Sequence, residues 1–290
     1  MLLCRCILNS TGMRFVIILL ALLPILAEAQ NDFSILPSNT DIMDTTSKTL
    51  IVKKITLPQR EQLNALSKSM DDAGIEYNNI DVVNWESYSY PSASVKFRIA
   101  YTDNAICLQY TVKEPFIKAT SKVDTSSAPY KDSCVEFFIV PDSTHYYNLE
   151  QNYIAIGTFA GGAERTGRTK YPKEVLDKIQ RHSTIPVELF TEKEIWTAKE
   201  IKQITDKRLL DLLPDNLVEG DLICWTLNII LPLELFSLKE VGNLQGKTVT
   251  ANFYKCGDDM PVRHYLSWNP IKLERPNFHT PQFFGKLIFE

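Results

Sequence analysis

The run SCVEFFIV, residues 133–140, decides how this chain is read. Its valines, phenylalanines and isoleucine are strand formers, and successive strand side chains point to opposite faces. Val135, Phe137 and Ile139 therefore share one face, the expected core face. Cys134, Glu136, Phe138 and Val140 share the other. A carboxylate on that second face must be solvated, paired, or turned toward a polar ligand. Tyr130, six residues before Glu136, reads as an exposed aromatic beside the start of the strand.

Strand patterns continue on both sides. SVKFRIAYTDNAICLQYTV (94–112) is two apolar runs around Thr102-Asp103-Asn104, a hairpin signal. YYNLEQNYIAIGTFA (146–160), LICWTLNIIL (222–231), TVTANFYKC (248–256) and FGKLIFE (284–290) read as further strands. LPQREQLNALSKSMDDAG (57–74) predicts a helix, with Leu63, Leu66 and Met70 at helical spacing and Gly74 as a stop. YPKEVLDKIQRH (171–182) predicts a second, and a short helical turn is expected after Pro232. Residues 183–220 read as either strand or irregular chain. Many strands, few helices and no βαβ alternation predict an all-β, two-sheet antiparallel β-sandwich with a few short peripheral helices.

The first 29 residues read as a secretory signal: Arg14, an apolar run from Phe15 to Ala27, and the small-x-small Ala27-Glu28-Ala29. The run is too short to span a bilayer comfortably, so export to the periplasm, the outer surface or the medium is expected without stable membrane insertion. Met1 and Met13 both stand as starts. The polar stretch 30–49 is expected as a flexible segment and 50–290 as the folded domain. Losing Arg5, Arg14 and Glu28 takes the formal charge from −4 to about −5, and no basic block remains to attract nucleic acid. Cys107, Cys134, Cys224 and Cys256 are widely spaced, with no short zinc-type pair. Export permits disulfides among them, and burial as small core residues suits them equally.

Three stretches carry candidate chemistry. On 146–153, Asn148, Glu150 and Asn152 share a face opposite Tyr147, Leu149, Gln151 and Tyr153. Aligned polar groups are dear to bury without partners and suit either a sugar or an internal network. HYLSWNPIKLERPNFHTPQFFG (264–285) reads as a long ordered loop holding Trp268 among polar residues. An indole there either faces the C–H side of a sugar or plugs the end of the sandwich. Trp85 and Trp225 read as packing residues. GGAERTGRTKYP (161–172) carries Arg165 and Arg168 but lacks the strand-to-helix context of a phosphate loop. A glycosidase pair of Glu136 and Glu150 and a haem pocket on Met260 and His264 are the competing chemistries.

In order along the chain, DSCVEFFIVP, YYNLEQN, ANFYKCGD, LSWNPIK and FHTPQFFGKLIFE resemble the family 9-like carbohydrate-binding modules of exported Bacteroidetes proteins. These are relatives of the xylanase family 9 module and of DOMON-type domains. The resemblance implies a jelly-roll or DOMON-like sandwich that binds an oligo- or polysaccharide without cleaving it, alongside glycan-degrading enzymes. It implies Tyr130 and Trp268 as the two aromatic walls, with Asn269 beside the second. Glu136 is then the strand carboxylate that accepts sugar hydroxyls, and Glu150 and Asn152 contribute from the next strand. Tyr replaces the family's Trp at 130, and Glu150 stands where a basic group is usual, which unsettles the choice of sugar. Relatives can hold structural calcium; no loop here spells such a site, and no other cofactor is expected.

Overall fold

In the computed structural model, residues 47–290 are described apart from 126–127 and 190–192. The expected signal (1–29) and nearly all of the expected flexible segment (30–49) lie outside the described residues. The strands that organise the molecule are β1 (Thr49–Lys54), β2 (Ser94–Tyr101), β3 (Ala105–Glu114), β4 (Cys134–Val140), β5 (Tyr146–Asn152) and β6 (Gly157–Gly162). They are followed by β7 (Thr169–Lys170), β8 (Gln180–Ser183), β9 (Leu222–Pro232), β10 (Thr248–Gly257), β11 (His264–Ser267) and β12 (Gly285–Phe289). One helix, α1 (Gln62–Asp72), is longer than a turn or so, and no helix among the described residues is long and apolar enough to cross a membrane.

The strands lie in the order β7-β6-β5-β4-β10-β12-β1-β2-β3-β9-β8. The expectation of two separate antiparallel sheets is corrected by β1. Its first residues pair in parallel with β12, Leu50 beside Leu287 and Val52 beside Phe289. Its last two pair in parallel with β2, Lys53 beside Ala100 and Lys54 beside Tyr101. Hydrogen bonding is thus continuous from one half to the other, giving a large, curled, mixed sheet. A small two-stranded ribbon, Ile195–Thr197 on Phe116–Lys118, stands apart from it.

The two halves face one another across a shared core. Phe97 of β2 stacks on Phe253 of β10 with centroids 3.6 Å apart, and Phe137 of β4 lies 5.0 Å from Phe253. Val135, Phe137 and Ile139 are all buried in this core, as their alternation requires. The hairpin predicted over 94–112 forms as β2 and β3 in full antiparallel register. The run 146–160 divides into β5 and β6. Asn152 ends β5, and its Oδ1 accepts the amide N–H groups of Ile154 and Ile156 at 3.2 and 3.1 Å, holding the turn between the strands. The helix predicted over 171–182 is cut to Lys173–Leu176, because Gln180–Ser183 leaves it to become β8 and pair with β9. The turn after Pro232 forms at Leu233–Leu235.

The outer face of β4 is covered at Phe138. Phe138, on the outer face, is buried with Trp85, Tyr146, Tyr254, Ile271 and Phe284 beneath the chain that follows β11. Tyr254 stacks on Phe278 of that segment at 4.0 Å. Gly285 opens β12 directly under Trp268. A Cβ there would lie 2.5 Å from Trp268 Cζ3 and 2.8 Å from the Lys48 carbonyl oxygen. Gly285→Ala is expected to cost about 1–3 kcal/mol by overpacking this seam, read as a lower urea midpoint at unchanged m-value. A variant as stable as the parent would show that the seam yields freely.

Candidate functional site

The outer face of β4 is roofed at Phe138 and open at Glu136, and there lies a cleft of about 630 Å³. Register sets its floor. Glu136 sits opposite Glu150 on β5 and opposite Tyr254 on β10, and Glu150 sits opposite Thr158 on β6. One wall is the Gly-rich segment after β6, carrying Arg165, Arg168 and Lys170; the other comprises Tyr265 and residues 276–279; Tyr130 and Asp258 close one end.

Arg168 ties the first wall to the floor. Its guanidinium lies over the Tyr146 ring, 3.7 Å from the centroid, and donates to Asn148 Oδ1 at 2.7 Å and to the Tyr146 carbonyl at 2.8 Å. Asn148 in turn donates from Nδ2 to Glu150 Oε1 at 2.8 Å. Arginine, amide and carboxylate thus form a chain that aims Glu150 into the cleft. The opposite wall rests on Trp85, whose ring contacts both Tyr265 and Phe278 with centroids 6.3 Å away and whose Nε1 donates to the Leu273 carbonyl.

Glu136 is 4 % exposed. Among the described residues its carboxylate has one hydrogen bond, from Cys256 Sγ at 3.0 Å. Burial pushes its pKa well above the usual carboxylate range, and the neighbouring Cys256 and Glu150 add to the rise. Burial raises Glu150 as well, partly opposed by Asn148 and Arg168. A protonated carboxyl both donates and accepts, as a sugar hydroxyl does. His279 is moved the other way, to about 4, by burial and by Arg168 and Arg165.

Of the six residues singled out from the sequence, the structure brings Tyr130, Glu136 and Glu150 to this cleft and withholds the other three. Trp268 is 3 % exposed, edge-on to Phe97 and Phe253 at 5.9 and 5.6 Å. Its indole plugs the core and presents no face to solvent. Asn269 accepts from the Lys48 amide and donates to the Phe283 carbonyl, stitching loop to seam. Asn152 donates to the Ser121 carbonyl and to Asp132 Oδ2 while holding its own turn. Tyr265 and Phe278, within the loop stretch 264–285, and Arg168, within the Gly-rich 161–172, line the cleft without a sequence signal that singles them out.

Trp85 and Trp225 are packing residues, as read from the sequence. The four cysteines among the described residues are free thiols, three of them buried. The haem reading does not fit. His264 is fully buried and stacked on Tyr90. Its Nδ1 is engaged by the Val262 carbonyl and its Nε2 by Lys255 Nζ, which leaves neither nitrogen for iron. Met260 and His264 also pack directly on Gly257, where even a Cβ would collide with both.

A β scaffold carrying an open cleft, floored by carboxyl and amide groups and walled by partly exposed rings, has the groups that a module for a polyhydroxylated ligand needs. The profile of carbohydrate-binding family 9 matches residues 64–210 and 202–289. A crystal structure of a candidate carbohydrate-binding protein from Bacteroides uniformis is 36 % identical, with a TM-score of 0.70 over 84 % of this chain and 100 % of that one. Two family 9 module structures from Caldicellulosiruptor kristjanssonii, in complex with glucose and with cellotriose, are 13 and 14 % identical. Their TM-scores are 0.46 and 0.45 over 84 % of this chain and 96 and 94 % of theirs. No protein of curated function matches significantly. The chain belongs to carbohydrate-binding family 9.

His279 gives a pH test of this wall. The unfolded histidine takes its proton near pH 6.5 and the folded one only near 4, so folding stability from this group is lost as pH falls through that window. Glu136 and Glu150 slope oppositely, so the difference between the parent and His279→Gln isolates the histidine. From pH 6.5 to 4 the parent is expected to lose roughly 3 kcal/mol relative to the variant, measured by urea unfolding. A constant difference would contradict the burial assigned to His279.

Proposed function

We propose that this cleft holds a saccharide and that the protein binds it without catalysis. The observation that carries the reading is the pairing of Glu136 and Glu150 on the floor with the rings of Tyr130, Tyr265 and Phe278 at the walls. Sugar rings present axial C–H groups to aromatic faces and hydroxyls to groups that donate and accept. Tyr130, 40 % exposed, has the free surface that stacking needs, and a cleft of about 630 Å³ has room for a short oligosaccharide. The second aromatic contact is then Tyr265 or Phe278, in place of the expected Trp268. Glu136 and Glu150 remain the proposed polar contacts, joined by Asn148.

The proposal extends to context. The facing halves of the curled sheet serve as a sandwich scaffold of the jelly-roll kind, and the signal-like leader supports an exported protein that works beside glycan-degrading enzymes. The paired carboxyls make hydrolysis worth testing directly. Non-catalytic binding predicts no turnover of aryl glycosides.

Isothermal titration against a panel of oligosaccharides tests the site. Tyr130→Ala and Phe278→Ala are each expected to weaken the best ligand by about 1 kcal/mol or more, roughly fivefold, with near-parental urea midpoints for the exposed Tyr130. Trp268→Ala is expected to act through the core instead, losing about 3–5 kcal/mol of stability. Undiminished binding in both cleft variants would remove the cleft from the account.

A further inference from the structure

The floor of the cleft ends in a group of donors whose two thiols saccharide binding leaves unexplained. Cys134 and Cys256 stand directly opposite one another on β4 and β10. Glu136, two residues on, shares a face with Cys134. One sulfur from each cysteine and one oxygen of Glu136 lie within 4.8 Å of one another, and all three residues are buried. Cys256 and Glu136 also line the cleft, so the group has an opening on one side.

We propose that Cys134, Glu136 and Cys256 form a binding site for a thiophilic divalent cation, with zinc the species their chemistry suits. Zinc takes thiolate and carboxylate ligands in tetrahedral geometry, at bonds of about 2.3 and 2.0–2.2 Å. Such bonds set ligand–ligand edges of roughly 3.3–3.8 Å. The existing contact of 3.0 Å between Cys256 Sγ and Glu136 Oε1, within a cluster spanning 4.8 Å, needs only small side-chain adjustment to reach them. Two sulfurs among three donors disfavour calcium and magnesium, which select oxygen. Three protein ligands leave a fourth position, and the cleft is where it opens.

The electrostatics agree with the geometry. Burial pushes the Cys134 thiol up to about 12 and raises Cys256 and Glu136 in the same sense. Lys255, whose charge works against that rise at both thiols, is held by Glu114 at 3.1 Å and by His264 at 2.9 Å. Three protonated acidic groups are thus packed together. A divalent ion replaces those protons, so its apparent affinity rises with pH. The site was hidden in the sequence because strand register, and no short spacing, joins residue 256 to residues 134 and 136. The inference shares Glu136 with the saccharide reading, but its thiolate-to-cobalt readout does not depend on any sugar being bound.

The test uses the full chain, purified with its thiols counted by a colorimetric reagent, then titrated with Co²⁺ and, by competition with a chromophoric chelator, with Zn²⁺. Expected are one equivalent bound, a thiolate-to-cobalt charge-transfer band, and tighter binding at pH 8 than at pH 6. Cys256→Ser should abolish the band, Glu136→Gln should weaken Zn²⁺ by about tenfold or more, and Cys224→Ser should change neither. Glu136→Gln keeps the test decisive if Cys256→Ser fails to fold. A reduced protein that binds neither ion overturns the proposal. So do binding that Glu136→Gln and Cys256→Ser leave intact, and isolation with Cys134 and Cys256 joined as a disulfide.

Discussion

The face-to-face contact of Phe97 and Phe253, closed edge-on by Trp268, holds the two halves of the curled sheet together. Each ring comes from a different part of the chain, and together they fill the middle of the core where large buried aromatics contribute most to stability. That contact also fixes an orientation. With Phe253 turned inward on β10 and Phe137 inward beside it on β4, the alternate residues Glu136, Phe138, Tyr254 and Cys256 must turn outward.

The outward face then has to be covered or used. The segment after β11 covers it at Phe138 with Ile271, Phe278 and Phe284 and stops short of Glu136. The Gly-rich segment after β6, pinned through Arg168 to Asn148 and the Tyr146 carbonyl, rises on the other side. Between them lies the cleft. A carboxylate is kept in the middle of an apolar strand because its face opens there into a polar-floored groove. The proposed saccharide binding rests on that groove, and the same outward row places two thiols beside the carboxyl.

Local pattern carried part of this far. The alternation of 134–140 and the hairpin of 94–112 were legible, because their faces are set by neighbours two residues away. β1 was not, because its lysines disguise a strand whose only reason to form is two non-local parallel partners. The helix read over 171–182 lost its second half to pairing with β9, a tertiary gain that helix propensity does not register. Within 264–285 the sequence marked a loop rich in rings but could not say which ring turns inward. Trp268 follows β11 into the core, where the bare backbone of Gly285 admits it. Tyr265 and Phe278 stay at the cleft. Asn152 and Asn269 suit a sugar in the sequence, and backbone groups far along the chain claim both.

The most direct measurement is amide and indole chemical-shift mapping on the folded protein during titration with an oligosaccharide it binds. The account predicts saturable shifts clustered at Tyr130, Glu136, Asn148, Glu150 and Phe278, with the Trp268 indole N–H unmoved. Shifts centred on the Trp268 indole, or none at the Glu136 strand when ligand is saturating, would contradict it.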